Sequence, residues 1–108
     1  MTGCERYSNS SGYASTFKYN ANHIDTTPRD RLNRRQTQLI AMDAIPYYNC
    51  PAEQYLMSNI MRDLNKAFVA FDASSETRSA ISTGNWGCGA FAGDPQLKFV
   101  IQVRQSFS

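Results

Sequence analysis

The chemistry-bearing part of the sequence lies between Thr83 and Pro95. There Gly84-Asn85-Trp86-Gly87-Cys88-Gly89-Ala90-Phe91-Ala92-Gly93 leads into Asp94-Pro95. Read as strand, glycine-rich loop and helix start, this order suits the holding of phosphate oxygens. Glycines let the backbone reach φ > 0 and come close to a ligand. Successive amide N–H groups can converge on one anion, and a following helix adds its unpaired N–H groups and the positive end of its dipole. Trp86 and Phe91 are costly to expose, so each either packs beneath the loop or covers a ligand. The plain alternative is a tight turn whose glycines serve only the turn and whose aromatics serve only the core. The spacing is neither GxGxxG followed by a ribose-binding acid nor GxxxxGK[ST]. Asp94 at the helix tip directs an anion to the upstream loop rather than to the helix itself.

Other side chains narrow the chemistry. His23 is the single histidine, which weighs against a Ser-His-Asp triad and excludes a histidine-rich metal site. Cys4, Cys50 and Cys88 are widely spaced and form no CxxC, so neither a disulfide framework nor a zinc knuckle is indicated and a reducing, intracellular setting is expected. Cys88 reads either as a thiol activated near a helix N-terminus or, the favoured reading, as a small residue that fits its loop. Arg29, Arg31, Arg34 and Arg35 suit the phosphates of an extended polymer, but a solvated loop with Arg34 and Arg35 held by neighbouring acids is favoured. Asp43, within an apolar stretch, is expected to be a buried structural hydrogen-bonding group.

The elements that must position these groups follow from periodicity. Asn9-Ser10-Ser11-Gly12 is a loop signal. Tyr13, Ser15, Phe17 and Tyr19 alternate with Ala14, Thr16 and Lys18, which predicts a strand. Residues 20–35 are polar, charged and interrupted by Pro28, so they read as a loop. Residues 36–45 carry Leu39, Ile40, Met42, Ala44 and Ile45 and end before Pro46, which suits a buried strand. Pro51 then opens the clearest helix. Leu56, Ile60, Leu64, Phe68 and Phe71, joined by Ala67, recur on one face and read as core, while Arg62, Asp63, Asn65 and Lys66 lie mostly elsewhere. A polar loop over 72–78 and a short strand over 80–83 follow. Asp94 as N-cap and Pro95 at the first helical position start a last helix, with Leu97, Val100 and Ile101 on its apolar face. The order β, β, α, β, α is an α/β pattern.

Composition sets the outer bounds. A chain of 108 residues, with 42% hydrophobic and 19% charged residues, is one modest domain or a piece of a larger one. A chain this short removes only about two thirds of its surface from water, so its core is marginal. The net charge of +2 excludes a histone-like nucleic-acid binder but not a local phosphate site. No apolar run approaches the ~20 residues that span a bilayer, and the N-terminus shows no signal-peptide pattern.

The motifs themselves resemble those of the poly(ADP-ribose) glycohydrolase family. Thr83 to Asp94, followed by Leu97-Lys98, is similar to the family's signature loop. Gly12-Tyr13-Ala14 with Phe17-Lys18-Tyr19 resembles its tyrosine-bearing strand, and Thr2-Gly3 with Glu5 and Tyr7 resembles the turn before that strand. Arg34-Arg35-Gln36-Thr37-Gln38-Leu39-Ile40-Ala41-Met42-Asp43-Ala44 and Arg62-Asp63-Leu64-Asn65-Lys66-Ala67-Phe68 resemble two more of its segments, in the same order. The resemblance covers about residues 2–103.

It implies a macrodomain, an α/β/α sandwich with a mixed sheet that holds ADP-ribose. It also implies hydrolysis of the ribose–ribose O-glycosidic bond of poly(ADP-ribose), with release of ADP-ribose. By the same resemblance the diphosphate-binding loop is 83–94, with Gly87, Cys88, Gly89, Ala90 and Phe91 against the diphosphate. Phe91 helps to position the ribose, and Asn85 lies in the same loop. Tyr13 matches a tyrosine beside the adenosine and phosphates, whereas a nearby family tyrosine is Ser10 here. The implied partners are poly(ADP-ribose), ADP-ribose and poly(ADP-ribosyl)ated proteins, in the response to DNA damage. No cofactor, metal, membrane or direct DNA contact is implied. The implied compartment is the nucleus, the cytoplasm or both.

One part of the family pattern does not occur in these residues. The family's catalytic signature is a GGG run followed by QEE, whose second glutamate is the acid/base for glycosidic cleavage. The acids here are Glu5, Asp25, Asp30, Asp43, Glu53, Asp63, Asp72, Glu76 and Asp94; no two are adjacent, and no GGG occurs. In the family that signature lies upstream of this chain's start, and an adenine-stacking phenylalanine lies beyond its end. The expectation is therefore an incomplete macrodomain with no catalytic residue of its own, and 104–108 read as a polar, truncated end. Of three functions, a glycohydrolase fragment is favoured over an inactive paralogue that binds ADP-ribose or its polymer and over an interaction remnant with no ligand.

Overall fold

A computed structural model describes residues 1–72 and 80–106, and they form two compact units, Met1–Ile40 and Ala41–Ser108.

The first unit is built on a hairpin. Strand β1 (Ser8–Ser11) pairs antiparallel with β2 (Lys18–Asn22), with Ser8 opposite Asn22, Ser11 opposite Lys18 and an irregularity between Asn9 and Ser10. This corrects two expectations. The loop signal at 9–12 is mostly strand, and the strand expected over 13–19 is broken by a 3-10 turn at Ala14–Thr16. Gly12 sets the reversal: its φ is +78°, and a Cβ there would stand 2.0 Å from the Thr16 carbonyl oxygen. The Tyr13 amide then donates to Thr16 Oγ1 at 2.8 Å, and that hydroxyl donates back to the Tyr13 carbonyl at 2.8 Å. Local hydrogen bonding thus outcompetes the period-two pattern.

The loop expected over 20–35 begins later, because residues 20–22 belong to β2; residues 23–35 form the polar connection, tied by charge. Arg29 bonds Glu5 at 3.0 Å, Arg34 bonds Asp30 at 2.8 Å, and Arg35 lies 3.7 Å from Glu5. Gly3 donates to Thr37 and Leu39 to Met1, both at 2.8 Å. No described residue of this unit is fully buried.

The strand expected over 36–45 does not form. In the first unit, Gln38 makes an isolated bridge to Thr2, and Leu39 and Ile40 stay exposed. In the second unit, residues 41–45 are held by side chains rather than by a ladder, and a strand without a ladder partner is only an extended segment.

The second unit holds the helices. The expected long helix is split into a 3-10 helix at Pro51–Tyr55 and α1 (Met57–Asp72), parted by Leu56 in extended conformation. Helix α2 (Pro95–Ser106) starts as read from the sequence: the Asp94 carboxylate accepts from the Gln96 and Leu97 amides at 2.8 and 3.2 Å. It runs to Ser106, into the stretch read as a polar end, whose last two residues lie outside the described ones. Residues 80–83 are exposed and join no ladder, so the third expected strand is also missing among the described residues. Beyond Asp72, which ends α1, the polar loop expected to 78 lies outside the described residues.

The helices pack on each other. Their buried positions are Asp63 and Ala67 on α1 and Lys98, Ile101 and Gln102 on α2, each set at helical neighbour spacing. Of the expected core stripe only Ala67 is fully buried, and its large members flank the contact. Leu56 and Phe68 are 55% and 44% exposed, while Ile60, Leu64 and Phe71 are half-buried. Neither helix is long and apolar enough to cross a membrane.

Candidate functional site

The loop between residues 83 and 94 is shaped by its own backbone. Trp86 donates to the Gly84 carbonyl, Cys88 to Asn85, Ala92 to Gly89 and Gly93 to Gly87, at 2.9–3.1 Å. These bonds fold the segment into consecutive turns. The amides of Gly87, Gly89, Ala90 and Phe91 are left over: they donate to no other described residue. Backbone donors of this kind are what an anion needs.

The loop's glycines fall into two kinds. At Gly87, φ is +72° and a Cβ would meet Ala44 Cβ at 2.7 Å, so both conformation and space demand glycine. A Cβ at Gly93 would stand 2.6 Å from the Gly87 carbonyl oxygen. At Gly84 and Gly89 a Cβ would meet nothing within 4 Å.

The floor under the loop is charged. Lys98, one turn into α2, is 1% exposed. Its ammonium bonds the Asp63 carboxylate and lies 4.3 Å from the Trp86 ring centroid and 5.9 Å from that of Tyr47. Arg62 bonds Asp63 at 2.9 Å and Asp43 at 2.6 Å, and Lys66 also bonds Asp43. Three cations thus share two carboxylates, leaving one positive charge in excess. The Lys66 ammonium, with Arg62 beside it, holds the Asp43 carboxyl below the usual carboxylate range. Asp43 is exposed, which corrects the expectation of a buried group, although it is anchored as expected. Losing Asp63 would strand the buried Lys98 charge, a loss of about 3–5 kcal/mol.

Further bonds fix the loop's edges. Trp86 Nε1 donates to the Met42 carbonyl at 3.2 Å, so the indole packs beneath the loop. The Tyr47 amide donates to the Phe91 carbonyl at 2.8 Å, while the Tyr47 hydroxyl is buried without a partner among the described residues. Gln54 accepts from the Asp94 amide at 2.7 Å, and the Tyr55 hydroxyl donates to the Asp94 carboxylate.

The sequence-derived site residues are distributed unevenly. Asn85, Gly87, Cys88, Gly89, Ala90 and Phe91 share the loop, with the Phe91 ring 41% exposed. Tyr13 belongs to the first unit and is 86% exposed. Burial raises the Cys88 thiol above its ordinary pKa, so it is not an activated thiolate, and its Sγ contacts the Trp86 carbonyl at 3.5 Å. Helical periodicity assigned Asp63 away from the core and gave Lys98 no role. Their signal was a charge within an apolar helical pattern, which reads as solvent-facing unless its partner on another helix is known.

Comparisons with known proteins come from two directions. A family model described as poly(ADP-ribose) glycohydrolase, macro domain fold, matches residues 1–106. Probable poly(ADP-ribose) glycohydrolase 2 of Arabidopsis thaliana is 30% identical over a 141-residue alignment covering 94% of this chain and 27% of that protein. Poly(ADP-ribose) glycohydrolases 1 and 2 of Caenorhabditis elegans are 38% and 32% identical, each over 95% of this chain, and over 15% and 24% of their own lengths. The chain thus spans less than a third of each of these relatives.

Proposed function

We propose a function from one premise: the chain belongs to the poly(ADP-ribose) glycohydrolase family, of macro domain fold. The two helices and two-stranded antiparallel sheet are α/β elements of that fold. In the proposed reading the chain is a partial glycohydrolase catalytic domain, and its loop over 83–94 binds the diphosphate of ADP-ribose. Gly87, Gly89, Ala90 and Phe91 offer their amides to the phosphate oxygens, with Cys88 and Asn85 completing the loop. The Phe91 ring flanks the ribose. The observation that carries this reading is the set of four loop amides with no acceptor among the described residues, above a buried lysine. The excess positive charge of the Asp43–Arg62–Lys66–Asp63–Lys98 cluster favours an anion there.

The test is calorimetric titration of the full chain with ADP-ribose, against Gly89→Glu. Position 89 has room for a side chain, so the fold tolerates the change, while a carboxylate there repels the diphosphate. Affinity is expected to fall by about tenfold or more, the equivalent of ~1.4 kcal/mol. Equal affinity, or no binding by either chain, would sink the assignment.

A second reading concerns turnover. Glycosidic cleavage needs a placed carboxyl group as acid and base. No GGG run followed by QEE occurs in these residues, which favours binding of ADP-ribose or poly(ADP-ribose) without hydrolysis by them. Poly(ADP-ribose) incubated with the chain is expected to release no ADP-ribose; release would overturn that reading. Recognition of poly(ADP-ribosyl)ated proteins and residence in nucleus or cytoplasm belong to the same proposal.

A further inference from the structure

We infer that Lys98 is a positioning residue for the glycine loop: from beneath, held by Asp63, it fixes Trp86 and the turn at Gly87 through its charge. The importance of this for ADP-ribose rests on the diphosphate reading above; the positioning itself does not.

The placement of Lys98 calls for a reason. A cation in the first turn of a helix opposes the macrodipole, and a buried ammonium is costly to desolvate. Lys98 meets both costs at once, 1% exposed and four residues after the Asp94 cap. What it gains is specific. Asp63, on the other helix, neutralises it. The Trp86 ring lies 4.3 Å from its ammonium, within cation–π range. A Cβ built at Gly87 would stand 3.9 Å from Nζ, and one built at Gly93 would stand 3.3 Å from Cε. The lysine therefore borders both ends of the turn closed by the Gly93-to-Gly87 hydrogen bond of 2.9 Å, on the side where a side chain at either glycine would point. Trp86 is also held through its Nε1, which donates to the Met42 carbonyl. The amides offered by Gly89, Ala90 and Phe91 hang from this support. An apolar residue at 98 would fill the space but leave the indole and the turn without the charge that orients them.

The test uses the full chain and compares the wild type with two variants. In the wild type, the ε-methylene protons of Lys98 are expected upfield in NMR spectra, shifted by the indole ring current. Absence of that shift overturns the inference whatever the variants do. The Asp63→Asn/Lys98→Met double variant strands no buried charge, so helical circular dichroism should persist. Its Trp86 emission, the signal of the chain's single tryptophan, should move to the red, and the amides of 87–91 should change position. Its ADP-ribose Kd should rise by about tenfold, whereas Lys98→Arg keeps the charge and stays within about threefold of wild type. A merely structural pair would lower the melting temperature and leave emission, amide positions and Kd as they were, and that result overturns the inference. A wild type that shows the ring-current shift but binds no ADP-ribose defeats the diphosphate reading and leaves the positioning role standing.

Discussion

Asp25 and Asp94 show how single carboxylates organise this chain. Asp25 accepts from the Thr27 amide at 2.9 Å and the Arg6 amide at 3.3 Å. Bonds from the Thr27 amide and hydroxyl, with Arg6 and Arg35 adding to them, lower its pKa from 3.8 to about 2. The folded unit therefore holds that proton less tightly than the unfolded chain. The stabilisation is complete above pH 3.8 and is lost as pH falls through about 2. An acid titration followed by the Arg6 and Thr27 amide resonances should show this, and Asp25→Asn should abolish the transition at those amides. Asp94 behaves alike: the Tyr55 hydroxyl, then the Leu97 amide, hold its carboxyl below the ordinary range. Asp94→Ala is expected to lower the melting temperature, because it removes the α2 cap and the Tyr55 bond together; Asp94→Asn keeps an acceptor and should lose less.

At the scale of elements, the contact between α1 and α2 carries the second unit. Ala67 is fully buried and Ile101 is 2% exposed. Ala67→Leu should overpack this contact at a cost of about 1–3 kcal/mol, and Ile101→Ala should open it at a cost of about 2–5 kcal/mol. Urea midpoints at unchanged slope would read both. The helices, the Asp94 cap and the Pro95 start were legible because capping chemistry and the 3.6 period are local. The strands were not. Alternation at 13–19 looked like a sheet face, but Gly12 and the Thr16 hydroxyl turn the chain there. The apolar run at 36–45 is strand-like in composition, yet a ladder needs a partner, and composition does not supply one. The α1 stripe met the real contact at Ala67 but missed Asp63, which lies buried against Lys98 where a charge is expected to face water. In the candidate site the glycines stood out at once, whereas their support came from α1 and α2 and could only be found in three dimensions.

Over the whole molecule, the two units are stabilised by different forces. All the fully buried described residues belong to the second unit, including Tyr47, Ala67, Lys98 and Ile101. The first unit relies on hydrogen bonds and on exposed pairs such as Arg29–Glu5 and Arg34–Asp30. Such pairs are worth little each and are screened by salt. The amides of Gly3 and His23 should therefore lose protection at lower urea than those of Ala67 and Ile101, and molar salt should widen the gap. Residue-resolved denaturation by NMR measures it directly. A single midpoint for all four amides, insensitive to salt, would contradict this division.

The two kinds of glycine in the loop have an evolutionary consequence. Gly87 and Gly93 are demanded by the fold, through a φ of +72° at one and a 2.6 Å clash at the other. Gly84 and Gly89 stand in open space, so in the proposed reading only the ligand keeps them small. Selection for folding and selection for binding thus act on different letters of one motif. A lineage that abandons the ligand but keeps the fold should accumulate side chains at 84 and 89 while 87 and 93 stay glycine. The pattern of substitution across these four positions would then date the loss of binding independently of the loss of catalysis.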